Sequence, residues 1–403
     1  MKRIKISGTG CSLLDIIYAN VDFKADRFTQ FLSRRPGDGG ITPGGLVFTE
    51  DLEIFSKKDI DSIVKTITGG VHRDTVNLGG PAIAALVNTA QLCFGQEIDI
   101  VFYAQCGSDD IGYKIQSLLQ PIAITTDHYK QVPGKSPYTI VLSDPRYNKG
   151  FGERAFINQL GVAAGFSDQN LADSFFDADI LFLGGTAIVP KIHENLDDLL
   201  DKGKAAGCLT IVATVYDFIS EKRNPGMPWL LCKEEKNLSK IDLLLMNRYE
   251  AQRISGEEKI DAALNYYISN GVKAVLITQG PEPVLIYSDG SVFTAEKPHY
   301  LPISDSVKKT LSESEALTGD TTGCGDNFAG GVIAELAIQL TTKDVGELNL
   351  LNACAWGISS GGCACFYPGG VYHETTPGEK YHLIKPYVDR YLQQISMLFR
   401  QES

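Results

Sequence analysis

Several things are scarce in this 403-residue chain, and each scarcity removes a class of protein. No apolar run approaches the roughly 18 residues needed to cross a bilayer, so nothing in the sequence reads as a membrane span. The opening Met1-Lys2-Arg3 runs directly into Ile4-Lys5-Ile6 without the sustained apolar stretch of a secretory signal. It reads as a first strand, which points to a cytoplasmic protein. Positive charge is in deficit: 37 Lys and Arg against 49 Asp and Glu leave a net charge of −12. That balance disfavours nucleic acid and anionic lipid as partners but leaves room for a local phosphate pocket. The nine cysteines are an odd number, and only Cys363-Ala-Cys365, with Cys354 nearby, forms a close cluster. Zinc sites need two tight pairs, or one pair with spaced histidines, and neither is present. Stretches such as Gln91-Leu92-Cys93-Phe94 present the cysteines as reduced, buried small hydrophobes. There is no internal repeat and no low-complexity tract. With 43% apolar and 21% charged residues, disorder, collagen and coiled coil are excluded. The length suits two or three units or one large α/β domain, with a core that needs no staples.

The chain does contain apolar runs separated by helical segments. Ile98–Tyr103, Ile180–Leu183, Thr210–Ala213, Ile241–Met246 and Ala274–Thr278 read as strands, several apolar throughout, as strands covered on both faces are. Between them, Ala82–Cys93, Ile111–Leu119, Leu196–Ala206 and Ile260–Ser269 read as helices. This alternation predicts a mostly parallel sheet with helices on both sides. Two segments break it. Residues 22–76 carry the Pro/Gly-rich stretch Arg35–Gly45, and residues 132–157 carry the short strands Thr139–Ser143 and Arg154–Ile157. Both are expected to build a small appendage on the main sheet.

The densest chemical signal is Gly319-Asp320-Thr321-Thr322-Gly323-Cys324-Gly325-Asp326, leading into a helical run from Asn327 to Leu336. A glycine-rich turn entering a helix leaves backbone N–H groups without intrahelical partners, and these together with the dipole suit a phosphate. Asp326 then stands beside that anion site as an acceptor for a hydroxyl proton. The same residues also read as a glycine turn with Asp326 as a simple N-cap. Gly8-x-Gly10 invites a dinucleotide reading, but the third glycine position holds Leu13, which disfavours a nicotinamide-dependent oxidoreductase.

Asp320–Asp326 resembles the Asp-Thr-x-Gly-Ala-Gly-Asp signature of the pfkB carbohydrate kinases, the ribokinase-like family, with Cys324 for the usual alanine. Other landmarks resemble the family in its order: Gly8–Asp15 as first strand and substrate aspartate, Gly79-Gly80, Gly107-Ser108-Asp109-Asp110-Ile111-Gly112, Asn247-Arg248-Tyr249-Glu250, and Thr278-Gln279-Gly280. The resemblance covers residue 4 to about residue 390. It implies a three-layer α/β/α sandwich around a mostly parallel sheet, as a single kinase domain over residues 1–403. A small β-rich lid would come from residues 22–76 and 132–157.

The resemblance also implies roles. Asp326 is the base, and the N–H groups of Gly323, Cys324 and Gly325 form an anion hole. Asp15, Gly79 and Gly80 bind the acceptor, while Thr278, Gly280 and Asn352 flank the nucleotide. Asn247 and Glu250 hold Mg²⁺ largely through water, although Asn with Glu three residues on is equally a capping box. Two places depart from the family. Ala84 replaces an expected sugar-facing asparagine, with Asn88 one turn further, and Asp217-Phe218-Ile219 lacks the asparagine of a middle motif although Arg223 and Trp229 follow. The expected activity is ATP- and Mg²⁺-dependent phosphorylation of a hydroxymethyl group on a sugar or sugar-like molecule. A nucleoside kinase and a catalytically silent regulatory subunit are the alternatives, and a homodimer through the lid is the expected assembly.

Overall fold

The computed structural model describes residues 2–35, 37–147, 152–313 and 321–401, with side chains to Leu398. Gly319 and Asp320, which open the phosphate-turn signature, lie outside the described residues, as do Pro36 and residues 148–151 of the two irregular segments.

Nine strands form the main sheet. In spatial order they are β14 (Glu296–Leu301), β13 (Glu282–Ser288), β12 (Ala274–Gln279), β11 (Leu243–Asn247), β10 (Leu209–Ala213), β9 (Ile180–Gly184), β1 (Ile4–Gly10), β5 (Ile98–Gly107) and β6 (Tyr129–Val132). From β12 to β6 every pairing is parallel; β13 and β14 add an antiparallel edge. The apolar runs sort by alternation: Ile180 and Phe182 enter one core, Leu181 and Leu183 the other. Both faces are therefore covered, as the unbroken apolar strands predict. The first core takes residues of the helices Pro81–Leu92, Cys324–Leu340, Leu350–Cys363 and Glu379–Gln401, and the second those of Leu196–Ala205, Arg248–Ser255 and Ile260–Ser269. The expected α/β/α layering is present. Among the described residues no helix is long and apolar enough to cross a membrane.

A second, five-stranded sheet runs β3 (Leu46–Phe48), β8 (Glu153–Gln159), β7 (Tyr138–Asp144), β2 (Leu13–Tyr18), β4 (Thr75–Gly79). The two irregular segments meet here as the expected small second sheet, and residues 22–76 also carry three helices that the sequence pattern did not mark. The segment holds Asp26–Thr29, Thr49–Ser56 and Ile60–Thr68, with only Leu46–Phe48 and the start of β4 as strand. The cause is local: Asp59 accepts from the Ser62 N–H at 2.9 Å as N-cap, Ile60, Ile63 and Ile67 share a buried face, and Gly69 at φ +67° ends the helix.

The two sheets are joined by very short links. Only Cys11 and Ser12 separate β1 of the main sheet from β2 of the small one, and Gly80 alone separates β4 from the helix Pro81–Leu92. That helix begins on the carbonyl of Cys11, which accepts from the N–H groups of Ala82 and Ile83 at 3.2 and 3.3 Å. Gly80, at φ +98°, has no room for a side chain: a Cβ would stand 2.7 Å from the same carbonyl.

Candidate active site

At the carboxyl ends of β10, β11 and β12, where open α/β sheets place ligands, lies an open cleft. Thr214, Asn247, Glu250, Thr278, Gly325 and Asp326 line it, with Pro81 and Phe328 among the apolar walls.

One wall is the first turn of the helix Cys324–Leu340. Gly323 adopts the left-handed conformation (φ +74°) as its N-cap, with no side-chain cap. Cys324 N–H leans toward the Thr321 carbonyl at 3.4 Å, and among the described residues no backbone acceptor takes the N–H of Gly325 or Asp326. A Cβ on Gly325 would meet nothing within 4 Å, so among the described residues the first turn is uncrowded on that side. This is the geometry of an anion site. The turn is held from behind: Asn327 donates from its backbone N–H and from Nδ2 to the Gly323 carbonyl, each at 2.8 Å, and from Nδ2 to the Gly370 carbonyl at 2.8 Å.

Asp326 opens to the cleft on one side. Loss of water around its carboxyl, and then the charge of Glu250, push its pKa up to about 7. Glu250 is itself buried, and burial raises its pKa against three hydrogen bonds that lower it. Its Oε2 accepts from Thr214 Oγ1 at 2.6 Å and from the Asn247 N–H at 3.1 Å, and its Oε1 from Asn247 Nδ2 at 2.7 Å. The Glu250 N–H donates back to Asn247 Oδ1 at 2.8 Å. The capping box is therefore real, and it also aims a charged carboxylate at the cleft. Among the described residues no three His, Cys, Asp or Glu side chains stand together as a metal cage. A carboxylate with most lone pairs taken, facing a second carboxyl that it perturbs, fits a hydrated cation better than a directly ligated one.

Asp15 sits buried in β2, opposite Asn77 of β4. Gly79 is tied to it sterically, because a Cβ there would fall 2.3 Å from Asp15 Oδ2. The buried Cys11 thiol is pushed far up by burial, then by the charges of Asp15 and Asp326. Both carboxylates thus lie within electrostatic reach of one sulfur at the junction of the two sheets.

Other sequence landmarks fall elsewhere. Thr278 lines the cleft, but Gly280 (φ +64°) serves the hairpin between β12 and β13 and is not among the lining residues. Asn352 is exposed in the first turn of Leu350–Cys363, its N–H capped by Asn349 Oδ1 at 2.8 Å, also outside the cleft. Asp109 caps a helix, accepting at 2.8 Å from the N–H groups of Gly112 and Ser136. Asn88 is fully buried and donates to the Asn327 carbonyl at 2.7 Å, so it supports the turn helix rather than facing an acceptor. Asp217 caps the helix Phe218–Arg223, with the Ser220 N–H at 2.8 Å.

Two residues near the turn escape sequence reading. Lys380 is fully buried, and its ammonium donates to Asn327 Oδ1 at 2.7 Å, which also accepts from the Tyr367 hydroxyl at 3.1 Å. Burial lowers the Lys380 pKa to about 7, against Glu374 and Cys363, which raise it. An ammonium only donates, so it dictates which way the Asn327 amide faces. Arg154, on β8, donates from Nη2 to Thr321 Oγ1 at 2.9 Å and from Nη1 to Thr322 Oγ1, joining the small sheet to the turn.

Residues 51–375 match the sequence profile described as pfkB family carbohydrate kinase. A fructokinase from Rhizobium leguminosarum bv. trifolii is 22% identical over 294 residues, 72% of this chain and 81% of that one. Among solved structures, a probable sugar kinase from Rhizobium etli CFN 42 superposes with a TM-score of 0.67 at 18% identity, covering 96% of this chain and all of that one. The adenosine kinase from Schistosoma mansoni in complex with 2-fluoroadenosine superposes at 0.66 and 16% identity, covering 93% and 98%.

Proposed function

The chain belongs to the pfkB family of carbohydrate kinases, and on that premise we propose that it transfers the γ-phosphoryl group of ATP to a hydroxymethyl group of a sugar or sugar-like molecule. The observation that carries the reading is the placement of Asp326. Its carboxyl is raised to about 7 and sits one residue past the unpartnered N–H of Gly325, within reach of the same buried sulfur as Asp15.

In this reading Asp15 accepts hydroxyls of the acceptor and orients it, with Gly79 and Gly80 leaving space for close approach. Asp326, ionised, takes the proton of the attacking hydroxyl. A carboxyl near pKa 7 is a far better base than an ordinary aspartate. The N–H groups of the Gly323–Gly325 turn hold the charge that develops on the transferred phosphoryl group, and since little covalent chemistry is asked of the protein, this positioning is most of the catalysis. Thr278 borders the nucleotide, with Gly280 and Asn352 toward the base. Asn247 and Glu250 would hold Mg²⁺ through its waters, and that ion, when bound, neutralises phosphate charge. Residues 1–403 act as one kinase unit, within which segments 22–76 and 132–157 form a lid over the acceptor that excludes water while Arg154 bonds the turn. We place the protein in the cytoplasm and, with β3 and β4 as open edges of the small sheet, in a homodimer that sedimentation would reveal.

A nucleoside acceptor is the second reading. It is favoured by a groove of about 630 Å³ between the small sheet and Phe218–Arg223, lined by Phe48, Leu160, Ile219, Lys222 and Arg223, whose apolar members suit a flat base. A coupled assay of ADP release across hexoses, pentoses and nucleosides tests both. Saturable turnover on a sugar supports the first reading, turnover on nucleosides alone the second. ATP binding without turnover on any acceptor overturns both in favour of a silent binding subunit.

A further inference from the structure

Seven of the nine cysteines are buried. The two that keep partial exposure, Cys324 and Cys365, face each other with their sulfurs 3.4 Å apart. They arrive on separate elements: Cys324 opens the helix at the phosphate turn, and Cys365 sits in the 3₁₀ turn Ala364–Phe366 that follows Leu350–Cys363. Those two helices are packed backbone to backbone. A Cβ on Gly361 would stand 2.8 Å from the Cys324 carbonyl, and one on Gly331 2.6 Å from that of Trp356. The sulfurs are thus brought together by the main-chain packing. Cys324 is also the one residue at which the signature departs from its family pattern, and it opens a helix whose N-terminal dipole favours a thiolate. By contrast, the neighbouring Cys363 is buried and its thiol is pushed well up by burial.

We propose that Cys324 and Cys365 form a modification site for hydroperoxides, oxidised to an intramolecular disulfide that disables the phosphate turn. The bond itself is independent of the functional reading above; only its consequence rests on it. The Cys324 thiolate attacks one peroxide oxygen, forming S–O as O–O breaks. The sulfur is oxidised to sulfenic acid, the peroxide is reduced, and the leaving hydroxide, or alkoxide from an organic hydroperoxide, takes up a proton to become water or an alcohol. The Cys365 sulfur then attacks Cys324, forming S–S as S–O breaks, and a second water leaves with the Cys365 proton. A dithiol reverses the bond by exchange. Closing from 3.4 Å to the roughly 2.05 Å of a disulfide requires an approach of about 1.3 Å. Cys324 immediately precedes Gly325, whose N–H no described backbone group accepts, and misplacement of that turn on the order of 1 Å costs catalysis about 10²-fold.

The test treats the full chain with a small excess of hydrogen peroxide, then maps peptides by mass spectrometry and measures turnover and affinity for a non-hydrolysable ATP analogue. Expected are a Cys324–Cys365 cross-linked peptide, at least tenfold loss of turnover or analogue affinity in step with it, and recovery of both with dithiothreitol. Cys365→Ser should form no cross-link under the same treatment, its Cys324 stopping at a sulfenic acid that dithiothreitol reverses. Absence of the cross-link, sulfinic acid at either residue in its place, or full activity with the cross-link complete would overturn the proposal. If the reduced protein binds no ATP analogue, the kinase reading and the consequence fail together, while the bond is still decided by its mass.

Discussion

The phosphate turn and the small sheet are bonded to each other through Arg154, yet they are held in opposite ways. The turn is braced from the interior by Asn327, Asn88 and the buried Lys380, and its helix packs so tightly that a Cβ on Gly330 would stand 2.3 Å from the Ala85 carbonyl. The small sheet is joined by short links and by polar bonds nearer the surface, Arg154 to the turn and Lys222 to Asp51 at 2.6 Å. Groups that stabilise charge in a transition state work best when their position is set beforehand. A part that must open to admit an acceptor needs bonds that break at low cost.

That contrast can be broken most severely at the turn. Asp326→Asn removes the proposed base and should lower kcat by at least about 10²-fold with nucleotide affinity little changed, as steady-state kinetics would read. In the unsubstituted protein kcat/KM should rise with pH through about 7 as Asp326 ionises, and this limb should vanish in the Asn variant. The sign for stability is opposite. A carboxyl raised in the fold binds its proton more tightly there than in the unfolded chain, so its contribution fades as pH rises from about 4 to 7. Asp326→Asn should therefore melt higher than the native protein above pH 7.

Glu250→Gln should raise the Mg²⁺ needed for half-maximal rate by about 10- to 100-fold. Loss of stability with unchanged magnesium dependence would assign Glu250 to capping alone. Lys380→Met leaves Asn327 without its charged donor and should cost about 1.5–3 kcal/mol, appearing as a roughly tenfold or greater fall in kcat at similar KM. A fall in melting temperature alone would make Lys380 purely structural.

On the small sheet the effects should be milder and of another kind. Arg154→Ala should raise acceptor KM several-fold and increase hydrogen exchange in residues 138–144 and 153–159 when acceptor and ATP analogue are bound. Equal exchange in both proteins would show that Arg154 does not hold the sheet. Lys222→Ala removes a half-exposed ion pair and should change stability by about 0–1 kcal/mol, measured by urea unfolding.

Most of the main sheet was legible because buried parallel strands leave an apolar run that little else produces. Ile180–Leu183 and Ala274–Thr278 appear within a residue or so of where the sequence puts them. The turn was legible because glycine and aspartate at fixed spacing have few other uses. Asn247 and Glu250 were legible in two ways, and the geometry shows why: the hydrogen bonds that cap the helix also aim the carboxylate. Lys380 was not legible, since a lysine in an amphipathic helix looks solvated and its partner lies 53 residues away. Nor was Arg154, whose partners are 167 and 168 residues distant. The helices in residues 22–76 were readable from Asp59, Ile60, Ile63 and Ile67, but the nearby Pro/Gly-rich stretch dominated the pattern.

The two-residue link Cys11–Ser12 and the single Gly80 lie side by side, since Gly80 abuts the Cys11 carbonyl. Together they form an axle. Asp15, three residues beyond Ser12, rides close to it, whereas Arg154 and Phe48 stand two and three strands further out across the sheet. In the proposed reading the small sheet closes as a lid, and a hinge at these links would carry its outer strands further than Asp15. In that reading an acceptor docks on Asp15 before the outer strands descend, which makes capture and enclosure separable steps.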